Sequence, residues 1–173
     1  MNQKIIIVEG VDKIGKTTLC GTLEGHLNIH TYKRPSDEFD FSRLVCGGVA
    51  QDVIQQLSYL RKKGTHIIFD RLHLSEYVYG KIDRNYDEHD NICWFDAVED
   101  FMQGLDVTLI LGRPCSLRWT NEMHGQDVTP YDKCFTEIFE HSRIPKKFEY
   151  HWENFEEEYP LIRQLIEKDE VVK

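Results

Sequence analysis

Residues 10–17, Gly10-Val11-Asp12-Lys13-Ile14-Gly15-Lys16-Thr17, place two glycines, a lysine and a hydroxyl in the spacing GxxxxGK[ST]. That spacing suits a chain of phosphates. Gly10 and Gly15 allow the backbone to turn tightly and aim its N–H groups inward, where a Cβ would obstruct an anion. Lys16 supplies a point charge for the outer phosphates and Thr17 a hydroxyl for Mg²⁺, and a helix starting at Lys16 adds its positive N-terminal end. A glycine turn that merely joins strand to helix would need neither the lysine nor the threonine. The motif predicts binding of ATP with Mg²⁺ through Gly10, Lys13, Gly15, Lys16, Thr17 and Thr18. Asp12 is unexpected there, because an anion beside phosphates is repulsive unless it faces something else. It points to the hydroxyl of a second substrate, or else to a simple turn role.

A second group of chemically capable residues follows about sixty positions on. Asp70-Arg71 ends an apolar run, and Ser75 and Tyr79 follow on a predicted helix. Arg71 can fork onto a phosphate, and Asp70 can order Mg²⁺-bound water or accept a proton. A structural ion pair is the plain alternative for these two. Lys33 and Arg34 precede Pro35 and add cations, while Asp37 and Glu38 beyond them could serve as a base for a hydroxyl acceptor.

These groups need a scaffold that brings them together, and the periodicity supplies one. Ile5–Val8, His66–Phe69 and Val107–Leu111 are continuously apolar, as expected of strands buried on both faces, and 28–32 is a weaker strand. Lys16–Leu27 and Val49–Lys63 carry apolar residues at helical spacing, the second closed by Gly64. Strand, helix, strand in this order predicts right-handed βαβ units, with ligands beyond the carboxyl ends of the strands. Beyond Arg113 the pattern predicts a mobile polar loop over 121–129, a helix through Phe135, Ile138 and Phe139, and a last helix over 156–168. Phe148, Tyr150 and Trp152 alternate with polar residues, which fits a fifth strand over 148–152 or a helix. Asp87–Asp90 reads as a solvated loop.

Residues 5–18, IIIVEGVDKIGKTT, resemble the opening of thymidylate kinases, and residues 70–80, DRLHLSEYVYG, resemble a second segment of that family. The resemblance spans roughly residues 4–118 and implies an α/β, three-layer P-loop kinase fold with a mostly parallel sheet of four to five strands. It also implies an acceptor site in which Asp12 meets a sugar hydroxyl, Arg71 holds the acceptor phosphate and Asp70 lies near magnesium. Lys33 and Arg34 would lie beside the acceptor, with Ser75 and Tyr79 lining a nucleobase pocket. The lid over 119–130 departs from the family pattern, and Arg118, Lys133 and Arg143 are its candidate cations. Gly112-Arg113-Pro114 stands where the family has an aspartate, and Lys13, Ile14, Leu72 and His73 also depart, so the acceptor is open.

Length and composition set outer limits. The 173 residues suit a single domain of residues 1–173, and 40% hydrophobic content excludes a disordered chain. A net charge of −9 disfavours sliding along DNA. Five scattered cysteines with no CxxC pair support neither a zinc site nor a disulfide framework, and His26 with His30 lack a third ligand. No signal peptide or membrane span is visible, so a cytoplasmic location is expected. Four readings stay open: a kinase of deoxynucleoside monophosphates, which the three acceptor-side cations favour; a deoxynucleoside kinase; a kinase of a modified base hydroxyl in DNA; and a nucleotide-binding regulator. The amphipathic stretches 49–60 and 91–102 would also suit a homodimer.

Overall fold

The computed structural model describes residues 3–33, 46–114 and 116–168. The chain runs β1 (Lys4–Glu9), α1 (Lys16–Leu27), β2 (Thr31–Lys33), α2 (Cys46–Lys63), β3 (Ile67–Asp70), α3 (His73–Ile82) and α4 (Glu88–Met102). It continues with β4 (Asp106–Arg113), α5 (Leu117–His124), α6 (Thr129–His141), β5 (Lys146–His151), a 3₁₀ turn (Trp152–Asn154) and α7 (Phe155–Glu167). All strand pairs are parallel, in the order β2-β3-β1-β4-β5. The chain steps from β1 first to the β3 side and later to the β4 side, so a crevice opens beyond the carboxyl end of β1. The P-loop leaves from that point.

Successive side chains of β1 serve opposite faces, as a pleated strand requires. Ile5 and Ile7 pack with Phe69, Val107, Leu109 and the apolar faces of α2, α3, α4 and α6. Ile6 and Val8 pack with Ile68, Ile110, Tyr150 and the residues Leu19, Leu23, Ile162 and Ile166 of α1 and α7. The result is three layers, helix, sheet, helix, and it holds β1 with no side-chain exposure from Ile5 to Glu9. Rigid anchoring of this strand fixes where the loop after it begins.

Strand five exists, two residues earlier than the alternation suggests. Tyr150 is buried between β5 and α7, whereas Trp152 lies past the strand and is 43% exposed. The weak strand over 28–32 is displaced to Thr31–Lys33, because Asn28 adopts a left-handed conformation that ends α1. The loop expected over 121–129 is shorter, running over 125–128 between α5 and α6. Gly125, at φ +70°, ends α5, and Pro130 sits in the first turn of α6, where its missing N–H costs no hydrogen bond. Asp87–Asp90 is not a free loop either: the Asp87 carboxylate caps α4 by accepting from the Asp90 N–H at 3.1 Å. Among the described residues no helix is long and apolar enough to cross a membrane.

Candidate active site

The loop after β1 is shaped by its two glycines. A Cβ on Gly10, at φ +122°, would lie 2.5 Å from the Gly112 carbonyl oxygen of neighbouring β4. Gly15, at φ +79°, is the N-cap of α1, and a Cβ there would strike the ring of Trp152. Neither position admits another residue without displacement. Lys13 is also left-handed at φ +59° and is exposed at the edge of the groove. The loop thus delivers Lys16 and Thr17 at the start of a helix, the arrangement that binds phosphate anions.

Lys16 is only 5% exposed, and its ammonium donates to the Val11 carbonyl while lying 4.0 Å from Asp12. Burial, with help from the nearby Arg71 charge, pulls its pKa from the ordinary 10.5 down to about 7, although Asp12, Asp70 and Glu9 oppose the shift. The amine is therefore close to half charged at neutral pH, and an incoming anion is what would restore the charge. Thr17 donates from its hydroxyl to Asp70 Oδ2 at 3.3 Å, and Lys33, directly beside Asp70 in the β2–β3 register, approaches the same oxygen at 3.8 Å.

Across the groove stands Arg71. Its backbone is left-handed at φ +76°, an unfavourable state for a side chain with a Cβ. The buried Glu9 carboxylate compensates. It accepts from the backbone N–H of Leu72 at 2.8 Å, of Leu74 at 3.0 Å and of Ser75 at 3.2 Å, and from the Ser75 hydroxyl. Glu9 therefore caps α3 from the end of β1 and ties the P-loop strand to the strand-three corner. So held, the Arg71 guanidinium donates to Asp12, to Tyr79 Oη at 3.1 Å and to Ser75 Oγ at 3.2 Å, and rests 5.3 Å from the Tyr79 ring centroid. Burial works against its charge, but Tyr79, Asp12 and Glu9 more than offset it, and its pKa lies above the ordinary arginine value.

Asp12, Lys13, Gly15, Lys16, Thr17, Thr18, Lys33, Asp70 and Arg71 together line one groove of about 360 Å³. The two motifs, sixty residues apart in the chain, are one site in space. Ser75 does not face a nucleobase pocket: it is buried and spent on Glu9 and Arg71. Tyr79 lines a smaller cavity next to Asp12. Arg34, Pro35, Asp37 and Glu38 lie outside the described residues.

The lid cations are not gathered. Arg143 precedes β5 and donates to Asp100 at 2.7 Å and to the Asp96 carbonyl at 2.8 Å on α4. Because β5 starts beside the beginning of β4, this places Arg143 at the sheet end opposite the P-loop, and its nomination as a lid cation is corrected. Lys133 is exposed and pairs along its own helix with Glu137 at 3.9 Å. Arg118 lies on α5, its side chain outside the description. Arg113 turns away from the groove to Thr136, to Asp132 at 3.4 Å and to Glu149 at 3.5 Å, tying α6 to the sheet.

Sequence reasoning missed Glu9. Its signal was there: a charged residue closing a fully apolar strand must be buried, and a buried carboxylate must find donors. His26 bonds Tyr159 Oη at 2.5 Å, His30 lies beyond the end of α1, and among the described residues no cluster of three or more His, Cys, Asp or Glu could hold a metal.

No protein-family model matches the chain, and a search of curated proteins finds no match either. Solved structures do match. YorR protein from Bacillus subtilis, in complex with phosphorylated GDP, superposes with a TM-score of 0.67 at 16% identity, covering 94% of this chain and 93% of that one. Thymidylate kinase from Ehrlichia chaffeensis gives 0.65 at 15% identity, covering 95% and 99%. Deoxyadenosine kinase from M. mycoides with bound dCTP gives 0.56 at 18% identity, covering 92% and 97%. The fold is that of the P-loop kinases.

Proposed function

We propose that this chain transfers the terminal phosphoryl group of ATP to a deoxynucleoside monophosphate, acting in the cytoplasm. The observation that supports it best is Arg71. It faces the P-loop across one groove, charged and held in a costly backbone conformation by Glu9, where an acceptor rather than a hydrolytic water would need a cation. In this reading an acceptor phosphate oxygen forms a bond to the γ-phosphorus as the bridging bond to the β-phosphate breaks, and ADP leaves. Lys16 and Arg71 spread the charge of the transferred group, and Asp12 accepts a sugar hydroxyl from the acceptor once Arg71 turns to the phosphate. Water must be kept out, a task this proposal gives to segment 119–130, with Arg118 as its cation.

The residues present fit a hard divalent ion. Thr17 and Asp70 offer a hydroxyl and a carboxylate on one side of the groove, an oxygen set suited to Mg²⁺ beside phosphates. Bound there, the ion would neutralise phosphate charge and orient the leaving group.

A nucleoside acceptor is the second reading. It is favoured by the pairing of Arg71 with Asp12, a carboxylate that could also take the proton of an attacking hydroxyl. Transfer from labelled ATP with Mg²⁺ to a panel of deoxynucleoside monophosphates, deoxynucleosides and hydroxymethylated DNA separates these. Label on a monophosphate is the expected result, and Lys16→Ala should lower turnover by at least about 100-fold while the thermal melt is retained. Nucleotide binding with no labelled acceptor would refute the proposal in favour of a nucleotide-binding regulator.

A further inference from the structure

Beyond Asp12 the groove continues into a narrow slot of about 70 Å³, walled by Val11, Val128 and the rings of Tyr79 and Tyr131. The two rings stand 5.6 Å apart at 46°. Its polar lining is Asp12, which it shares with the phosphate groove, together with Asp83 and Gln126. Asp83 is fixed rather than free to swing: its Oδ1 accepts from the Tyr131 phenol at 2.5 Å, and its backbone N–H donates to the Tyr79 carbonyl at 2.9 Å. Among the described residues that line the slot there is no cation; Arg71 stands at its mouth, donating to Asp12 and to Tyr79 Oη, while Lys81 and Arg84 turn to Glu88 and Glu76.

Asp12 is paired with Arg71, so the preference of the slot is set by the Asp83 carboxylate, which repels a group that presents only carbonyl oxygens to it. It favours a flat, uncharged group that brings N–H donors. We infer that the slot holds the edge of the acceptor's base, that Asp83 accepts from an exocyclic amine on it, and that the acceptor therefore carries an amino-bearing base, adenine, cytosine or guanine, rather than thymine. Each of those three bases presents an exocyclic amine that can donate to the Asp83 carboxylate. Thymine presents O4 at the same place, so an oxygen would face the Asp83 carboxylate. Hydrogen bonding to Asp83 raises the Tyr131 pKa to about 12, which keeps the phenol a donor and leaves the carboxylate's other oxygen for the base. This departs from the thymine preference that the family resemblance implies, and it rests on the proposed phosphoryl transfer at the same site.

The test is kcat/KM for ATP-dependent phosphorylation of matched adenine, cytosine, guanine and thymine deoxynucleotides and deoxynucleosides by the wild-type chain and by Asp83→Asn. The wild type should favour at least one of the amino-bearing bases over thymine by about 10- to 100-fold, the range for losing one charge-assisted hydrogen bond. Asp83→Asn should bring that ratio within about threefold of one through the acceptor KM, leaving the KM for ATP unchanged, because an amide can also donate to O4. Tyr131→Phe keeps the wall and removes the anchor, and it should weaken the discrimination in the same direction. A wild type that prefers thymine, or a base ratio that Asp83→Asn leaves unmoved, overturns the inference while phosphoryl transfer stands. If no acceptor is labelled at all, the proposed function fails and this inference fails with it.

Discussion

Lys16 makes the binding of a nucleotide a protonation event. Buried, and lowered to about 7 in the free protein, it is about half neutral at physiological pH. A triphosphate seated on the loop would place several negative charges within a few ångströms and restore the ammonium, raising its pKa back toward the ordinary lysine range. The consequence can be worked out. At pH 8 about one-tenth of the free protein carries the charge and nearly all of the complex does, so binding should take up about 0.9 proton; at pH 6 the uptake should be about 0.1. By linkage, affinity for the nucleotide should fall about 10-fold between pH 6 and pH 8. Isothermal titration of ADP with Mg²⁺ at pH 8, in buffers of different ionisation enthalpy, measures the proton count directly. ADP avoids turnover, and at pH 8 its phosphates are already fully ionised. Among the described residues no histidine lines the groove to confuse the count, and Lys16→Met should abolish the uptake. An uptake near zero at pH 8, or one that survives in Lys16→Met, would refute the account of this lysine.

Two further expectations concern the frame. Glu9→Ala strands three backbone N–H groups at the start of α3, which should cost about 3 kcal/mol and lower the melting temperature by about 6–12 °C, with Glu9→Gln losing less because an oxygen remains; a change under about 2 °C on thermal denaturation would count against the capping role. Glu99 is buried between α3 and the start of β5: burial pushes its pKa up, but His73, the Ser142 hydroxyl and the Arg143 N–H more than offset this and hold it below the ordinary carboxylate value. Its folded pKa is depressed, so its contribution is present above the ordinary value and is lost as pH falls through the folded one. Urea unfolding across the acid range should show a steeper loss of stability in the wild type than in Glu99→Gln, and equal slopes would contradict this.

Much of the site was legible in the chain alone, for a local reason. The P-loop is written in consecutive residues, because glycine geometry, a helix N-terminus and a lysine are short-range requirements, and the structure assembles Gly10, Gly15, Lys16 and Thr17 as those requirements dictate. The three inner strands of the sheet, β1, β3 and β4, were equally plain, since a run such as Ile5–Val8 is apolar on both faces and only a strand covered twice explains that. Asp70-Arg71 could be placed beside the loop once β3 was seen to be parallel to β1.

What only the tertiary structure decided is long-range in origin. Glu9 finds its donors sixty-three to sixty-six residues away, so nothing near it in sequence could reveal the cap. Pro130 and Gly125 look like a loop until α6 packs against α3 and makes the proline a helix start. Arg143 and Arg71 are both isolated arginines in sequence; one lands at each end of the sheet because a parallel strand puts its beginning and its carboxyl end some 20 Å apart, at about 3.3 Å per residue. Motifs whose atoms are neighbours in the chain reveal themselves there, and contacts created by folding the sheet closed do not.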